Sequence, residues 1–186
     1  MEDATIIDLY IKRNEKALSE TAIKYGNYCF TISNNILKNE NDAEECLNET
    51  YLKAWNNIPP EIPLRLGAFL GKIVRNLSFD RYKFNRRKKR EGSEFELLLS
   101  ELEDCLSSSL TTLSDFESGF VIQLIDDWLH LQVTQNRIMF VRRYWYADAI
   151  KDLAYKFGMS ESKAKSTLFR MRKSLKKHLE QAGVLI

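Results

Sequence analysis

AIKDLAYKFGMSESKAKSTLFRMRKSLKKHLE, residues 149–180, has the spacing of a helix-turn-helix. Ile150, Leu153, Ala154 and Phe157 recur at helical intervals, and Gly158 supplies the backbone freedom that a sharp turn needs. Ala154 is small where a following helix must pack closely. Ser160 is placed to cap that helix, whose apolar stripe runs through Ala164, Leu168, Met171, Leu175 and Leu179. The opposite side offers Lys163, Lys165, Ser166, Arg170, Arg172 and Lys173. A recognition helix brings its N-terminal side chains to base edges and its flanks to phosphates. Lys163, Lys165, Ser166 and Arg170 are therefore expected at bases, and Arg172, Lys173, Lys176 and Lys177 at phosphates or in solvent. A solvated bundle helix would also be amphipathic, but the Ala-x3-Gly spacing before a capped basic helix favours DNA.

Working upstream, helical periodicity returns at Phe120 and continues through Val121, Leu124, Ile125, Trp128 and Leu129, so residues 119–186 are expected to form one small helical domain. Residues 91–118 contain no Lys or Arg and include SSSLTTLS (107–114). They are expected to be an acidic linker, with one short helix in FELLLSELEDCL (95–106).

The N-terminal half, residues 1–90, is also expected to be helical. In residues 42–58, Ala43, Cys46, Leu47, Tyr51, Ala54, Trp55 and Ile58 mark one helical face, with Asn41 or Asp42 as the expected cap and Glu44 or Glu45 closing a capping box. All three prolines fall at Pro59, Pro60 and Pro63 and end it. A second helix starts near residues 64–67, buries Phe69, Leu70, Ile73, Val74, Leu77 and Tyr82, and runs into RRKKR (86–90). One or two helices precede these through Tyr10, Leu18, Tyr25, Tyr28, Ile32 and Ile36, giving a three- or four-helix bundle. The fold class expected is all-α: two small helical domains joined by an acidic linker.

The net charge of +2 conceals strong segregation. Residues 1–64 carry −5, 65–90 carry +9, 91–127 carry −10 and 128–186 carry +8. Two basic blocks separated by an acidic one suggest two contacts with a polyanion. Cys29, Cys46 and Cys105 are odd in number and widely spaced, with only His130 and His178 to assist, so neither a disulfide framework nor a metal site is expected. The acidic start MEDATIIDLY and the lack of a long apolar run lead to the expectation of a soluble cytoplasmic protein without membrane insertion. No P-loop, GxGxxG, HExxH or GxSxG occurs, so no catalytic residue and no cofactor is expected.

Three stretches in order, DAEECLNETYLKAW (42–55), FLGKIVRNLSFDRY (69–82) and the helix-turn-helix, together resemble the sigma factors of bacterial RNA polymerase, in the compact extracytoplasmic-function group. The resemblance covers about residues 5–90 as sigma region 2 and 120–180 as region 4. It implies a non-catalytic specificity subunit that binds core RNA polymerase and promoter DNA, double-stranded at the −35 element and melted at the −10 element. Family members are often held by an anti-sigma factor. The helix at 42–55 would dock on the clamp of the polymerase through Glu45, Asn48, Glu49 and Leu52, which share one helical face. In the next helix Asn76 falls on the family's asparagine in the −10 pocket. Arg65, Lys72, Arg75 and Arg81 would assist there, and the loop 57–65 would complete the pocket. Phe69 stands where the family usually has Trp and reads as a core aromatic. In region 4 the −35 contacts implied are Lys163, Lys165, Ser166, Phe169 and Arg170. Lys163 and Thr167 depart from the family's Thr and Arg, which moves a cation by about one turn and so alters the preferred sequence. The linker would lie along a cationic path of the polymerase. A conventional dimeric helix-turn-helix regulator is the alternative, but it leaves the basic block 65–90 unexplained.

Overall fold

In the computed structural model, residues 1–86, 94–103 and 115–184 are described; RRKKR beyond its first residue and SSSLTTLS lie outside them. Among the described residues every regular element is an α-helix. The chain divides into two compact units, Met1–Glu91 and Gly92–Ile186.

The first unit holds α1 (Asp3–Ile11), α2 (Lys16–Leu37), α3 (Glu40–Asn57) and α4 (Leu66–Arg86). The N-terminal stretch is thus two helices, and the bundle has four. Ile6, Tyr10, Ala17, Cys29, Ile32, Ile36, Ala43, Cys46, Ala54, Leu70 and Val74 are buried at its centre. The α2–α3 joint is short: Lys38 takes a left-handed φ of 52° and ends α2, and Asn39 is already extended. Asn39, not Asn41 or Asp42, caps α3, its side chain accepting from the Asp42 backbone N–H at 3.0 Å. The expected caps fall inside the first turn, where Glu40 and Asp42 complement the exposed N–H groups.

Several hydroxyls are buried among these helices. Ser78 Oγ lies 2.8 Å from Ser33 Oγ and 2.7 Å from the Val74 carbonyl, linking α4 to α2. Thr50 donates back to the Cys46 carbonyl at 2.7 Å. Burial pushes the Cys46 thiol above its ordinary range, although hydrogen bonds with Ser33 and Ser78 pull the other way. Tyr10 and Thr21 share a buried hydroxyl pair at 2.9 Å, which fastens α1 to α2.

The second unit holds α5 (Glu94–Glu103), α6 (Asp115–His130), α7 (Thr134–Tyr144), α8 (Ile150–Lys156) and α9 (Glu161–Gln181). Helix α5 covers much of the stretch expected to be a short helix in the linker, and Leu98 on it is buried. The core is aromatic at one end: Trp128 meets Phe140 edge-on at 5.1 Å, and Phe140 meets Tyr144 at 4.6 Å. The Trp128 indole N–H donates to Ser174 Oγ at 3.2 Å and ties α6 to α9. The stripe Ala164, Leu168, Met171, Leu175 and Leu179 is buried as its spacing predicts.

Candidate nucleic-acid and polymerase interfaces

On α3, Glu45, Asn48, Glu49 and Leu52 are all exposed, Leu52 at 60%. One α3 face therefore carries two carboxylates, an amide and an unburied leucine, while Ala43, Cys46, Thr50 and Ala54 face the core. Arg81 on α4 reaches this acidic face. Its guanidinium lies 2.7 Å from Glu45, 3.6 Å from Glu49 and 3.7 Å from Asp42, and Asn85 donates to Asp42 at 2.9 Å.

Arg81 thereby stands apart from the other residues assigned to the −10 element. At about 100° per residue, nine positions put it on the opposite side of α4 from Lys72. That spacing is a property of the sequence, and helical geometry alone is enough to separate the two residues. Lys72 and Asn76 are exposed, one turn apart. Arg75, between them, is partly covered and rests 4.9 Å above the Phe79 ring; burial lowers its guanidinium to about 10. Arg65 is exposed at the end of the Pro-containing loop, beside a fully exposed Leu64 and an exposed Ile62. Phe69 is half-buried on α4. The start of α4 is fixed by Gly67, where an added Cβ would come 2.9 Å from Tyr25 Cε1. The Tyr25 hydroxyl is itself held by Asp3 at 2.6 Å.

In the second unit, α8 and α9 are separated by a turn in which Gly158 has φ 60°, a left-handed value. Met159 N–H donates back to the Ala154 carbonyl at 3.0 Å, and the Ser160 side chain accepts from the Lys163 N–H at 3.2 Å. Buried Ala154 and Ala164 let the two helices approach closely. Lys163, Lys165, Ser166, Phe169 and Arg170 all lie on the exposed side of α9, Phe169 at 57%. Lys165, Ser166, Phe169 and Arg170 line one cleft with Arg172; Lys163 and Arg170 line a second, with Gln132 and Asn136.

Arg172, expected at phosphates or in solvent, has a side chain that is mostly covered. Its Nη1 donates to the Tyr144 hydroxyl at 2.6 Å and lies 3.6 Å from the Glu101 carboxylate. Tyr144 in turn donates to Glu101 at 3.1 Å, and the Arg143 Nε donates to the same carboxylate oxygen at 3.2 Å. Arg143 is fully buried and also donates to the Asp148 carbonyl at 2.9 Å. Burial, reinforced by the Glu101 charge, holds the Tyr144 phenol well above its usual range. Sequence reasoning missed Glu101, Arg143 and Tyr144. The one available signal was a glutamate on the apolar side of a short helix next to Leu98.

Among the described residues no group of three His, Cys, Asp or Glu side chains gathers to hold a metal ion, and no helix is long and apolar enough to cross a membrane. Residues 23–88, which span most of α2 and all of α3 and α4, match the family Sigma-70 region 2. Among solved structures, CnrH in complex with the cytosolic domain of CnrY is similar, at 18% identity and a TM-score of 0.45, with 96% of this chain and 97% of that chain covered. No curated protein matches the chain.

Proposed function

We propose that the protein is a sigma factor of the extracytoplasmic-function type, which binds core RNA polymerase and directs promoter-specific initiation. The observation that carries this reading is the sigma-70 region 2 at residues 23–88, with an acidic face on α3 and a basic one on α4. Glu45, Asn48, Glu49 and Leu52 dock on the polymerase, where an exposed leucine flanked by carboxylates suits a basic helical partner. Arg81 holds the docking carboxylates in place through its contact with Glu45.

Arg65, Lys72, Arg75 and Asn76 engage the opened −10 strand. Taking a base out of the stack costs a few kcal/mol, and cations along the backbone with an amide at the base edge offset that cost. Lys163, Lys165, Ser166, Phe169 and Arg170 read the −35 duplex from α9. The protein acts with polymerase in the cytoplasm, does no covalent chemistry itself, and is open to control by an anti-sigma partner.

The test is co-elution with core polymerase stripped of other sigma factors. The native chain is expected to co-elute and Glu49→Lys to be lost from the complex. If neither co-elutes while the native chain binds DNA alone as a dimer, the sigma assignment is wrong.

A further inference from the structure

Helix α5 and the recognition helix α9 wall the same cleft, of about 730 Å³, and they bring opposite charges to it. The α5 sequence EFELLLSELE contains four glutamates and no base. Leu97, Ser100 and Glu101 form its side of the cleft; Lys165, Ser166, Phe169, Arg170 and Arg172 form the other. Among the described residues, two contacts hold α5 in place. Leu98 is buried at 1% exposure, and the Glu101 carboxylate takes Arg143, Tyr144 and Arg172 together.

A carboxylate that accepts from guanidinium and phenol donors offers them an anionic oxygen, as a DNA phosphate does; here one Glu101 oxygen takes Arg143 at 3.2 Å and Tyr144 at 3.1 Å, with Arg172 3.6 Å away. The flank of a recognition helix is where phosphates arrive when the helix enters the major groove. With α5 in place, the Glu101 carboxylate occupies that flank and competes with the incoming backbone for its donors.

We infer that α5 is an intramolecular competitor of promoter DNA, which covers the flank of α9 through Glu101 and must leave it before a duplex seats fully. The inference rests on α9 being the recognition helix. It places regulation inside the second unit, since the affinity for DNA is scaled by the fraction of molecules in which α5 is released.

The full-length chain is compared with Glu101→Gln and with Ser100→Pro, using a fluorescent mixed-sequence B-form duplex at low salt. Glu101→Gln keeps the side-chain shape but removes the charge. Ser100→Pro breaks α5 with no change of charge, because proline inside a helix removes a hydrogen bond and clashes with the preceding turn. Both are expected to bind about tenfold tighter than the native chain. Hydrogen exchange on the native chain gives a readout independent of any variant: amides from Leu97 to Glu101 exchange faster once the duplex is added.

Variants that fold and bind no tighter overturn the inference, and so does α5 exchange that the duplex leaves unchanged. If a variant misfolds because Arg143 loses its partner, the exchange result on the native chain still decides. If the native chain and both variants all fail to bind the duplex, the reading of α9 as a recognition helix falls and the inference falls with it. Binding without a gain in the variants removes the inference alone.

Discussion

Gly67 and Gly158 are both irreplaceable by alanine, for different physical reasons. At Gly67 a Cβ would come 2.9 Å from the Tyr25 ring, and that ring is not free to retreat because its hydroxyl is held by Asp3. Gly67→Ala should therefore cost about 1–3 kcal/mol by overpacking. At Gly158 a Cβ would meet nothing within 4 Å, yet φ is +60°. Gly158→Ala should cost about 1–2 kcal/mol through backbone strain alone, and Gly158→Asn less, since asparagine tolerates the left-handed region. Denaturant midpoints of the three variants separate crowding from strain. Asp3 makes a second residue-level prediction. Burial raises its pKa, but hydrogen bonds from Lys24 and Tyr25 outweigh that, and the folded value lies below the ordinary one. Its contribution is present above the unfolded carboxylate pKa and disappears as pH falls through the lower folded value. Asp3→Asn should flatten the acid limb of the stability curve; an unchanged limb would show that the ion pair with Lys24 contributes nothing.

At the scale of the helix, what was legible in the sequence was what depends on near neighbours. The α9 stripe, the Gly158 turn and the Ser160 cap are set by spacings of three to seven residues, and all three are found in the fold. Ser160→Ala should cost about 1 kcal/mol and fray the first turn of α9. Because Lys163 and Lys165 sit at that end of the helix, thermal melting and DNA affinity should fall together. If stability falls while affinity holds, these lysines are not ordered by the cap. The features that sequence reading missed all depend on distant partners. Glu101 meets Arg143 across 42 positions and Tyr144 across 43, and nothing local marks Arg143 as an arginine to be fully buried. The α3 cap differs from the expected one for a subtler reason: three capping types stand close together at Asn39, Asn41 and Asp42, and only the left-handed turn at Lys38 selects the first.

At the scale of the whole molecule, the fold divides the basic side chains of the described residues into two sets. Lys72, Lys163, Lys165, Arg170 and Lys173 are exposed, whereas Arg81, Arg143 and Arg172 are committed to carboxylates of the chain itself. Counting bases in a block therefore overstates the number available to DNA. In promoter binding by the complex with polymerase, Lys173→Ala should lower the salt slope by about one unit. Lys165→Ala should instead weaken the preferred promoter more than other sequences; equal loss on all sequences would reduce Lys165 to a phosphate contact. The all-helical character of both halves and the turn between α8 and α9 were legible because they rest on composition and periodicity. The division of the cations into committed and available was not, because it is settled by which surfaces meet.

The Ser33–Ser78 pair has a consequence for alignment. The Ser33–Ser78 bond forms only while α2 and α4 stand at one relative height, and sliding either helix by a turn would break it, leaving Ser78 only its bond to the Val74 carbonyl. The pair works as a detent, as a notch holds a sliding rule. Replacing both serines by alanine removes both hydroxyls together and would leave the bundle nearly as stable, with only the weakly polar Cys46 thiol losing its partners. It would also remove the notch, leaving the height of α2 against α4 to apolar packing alone.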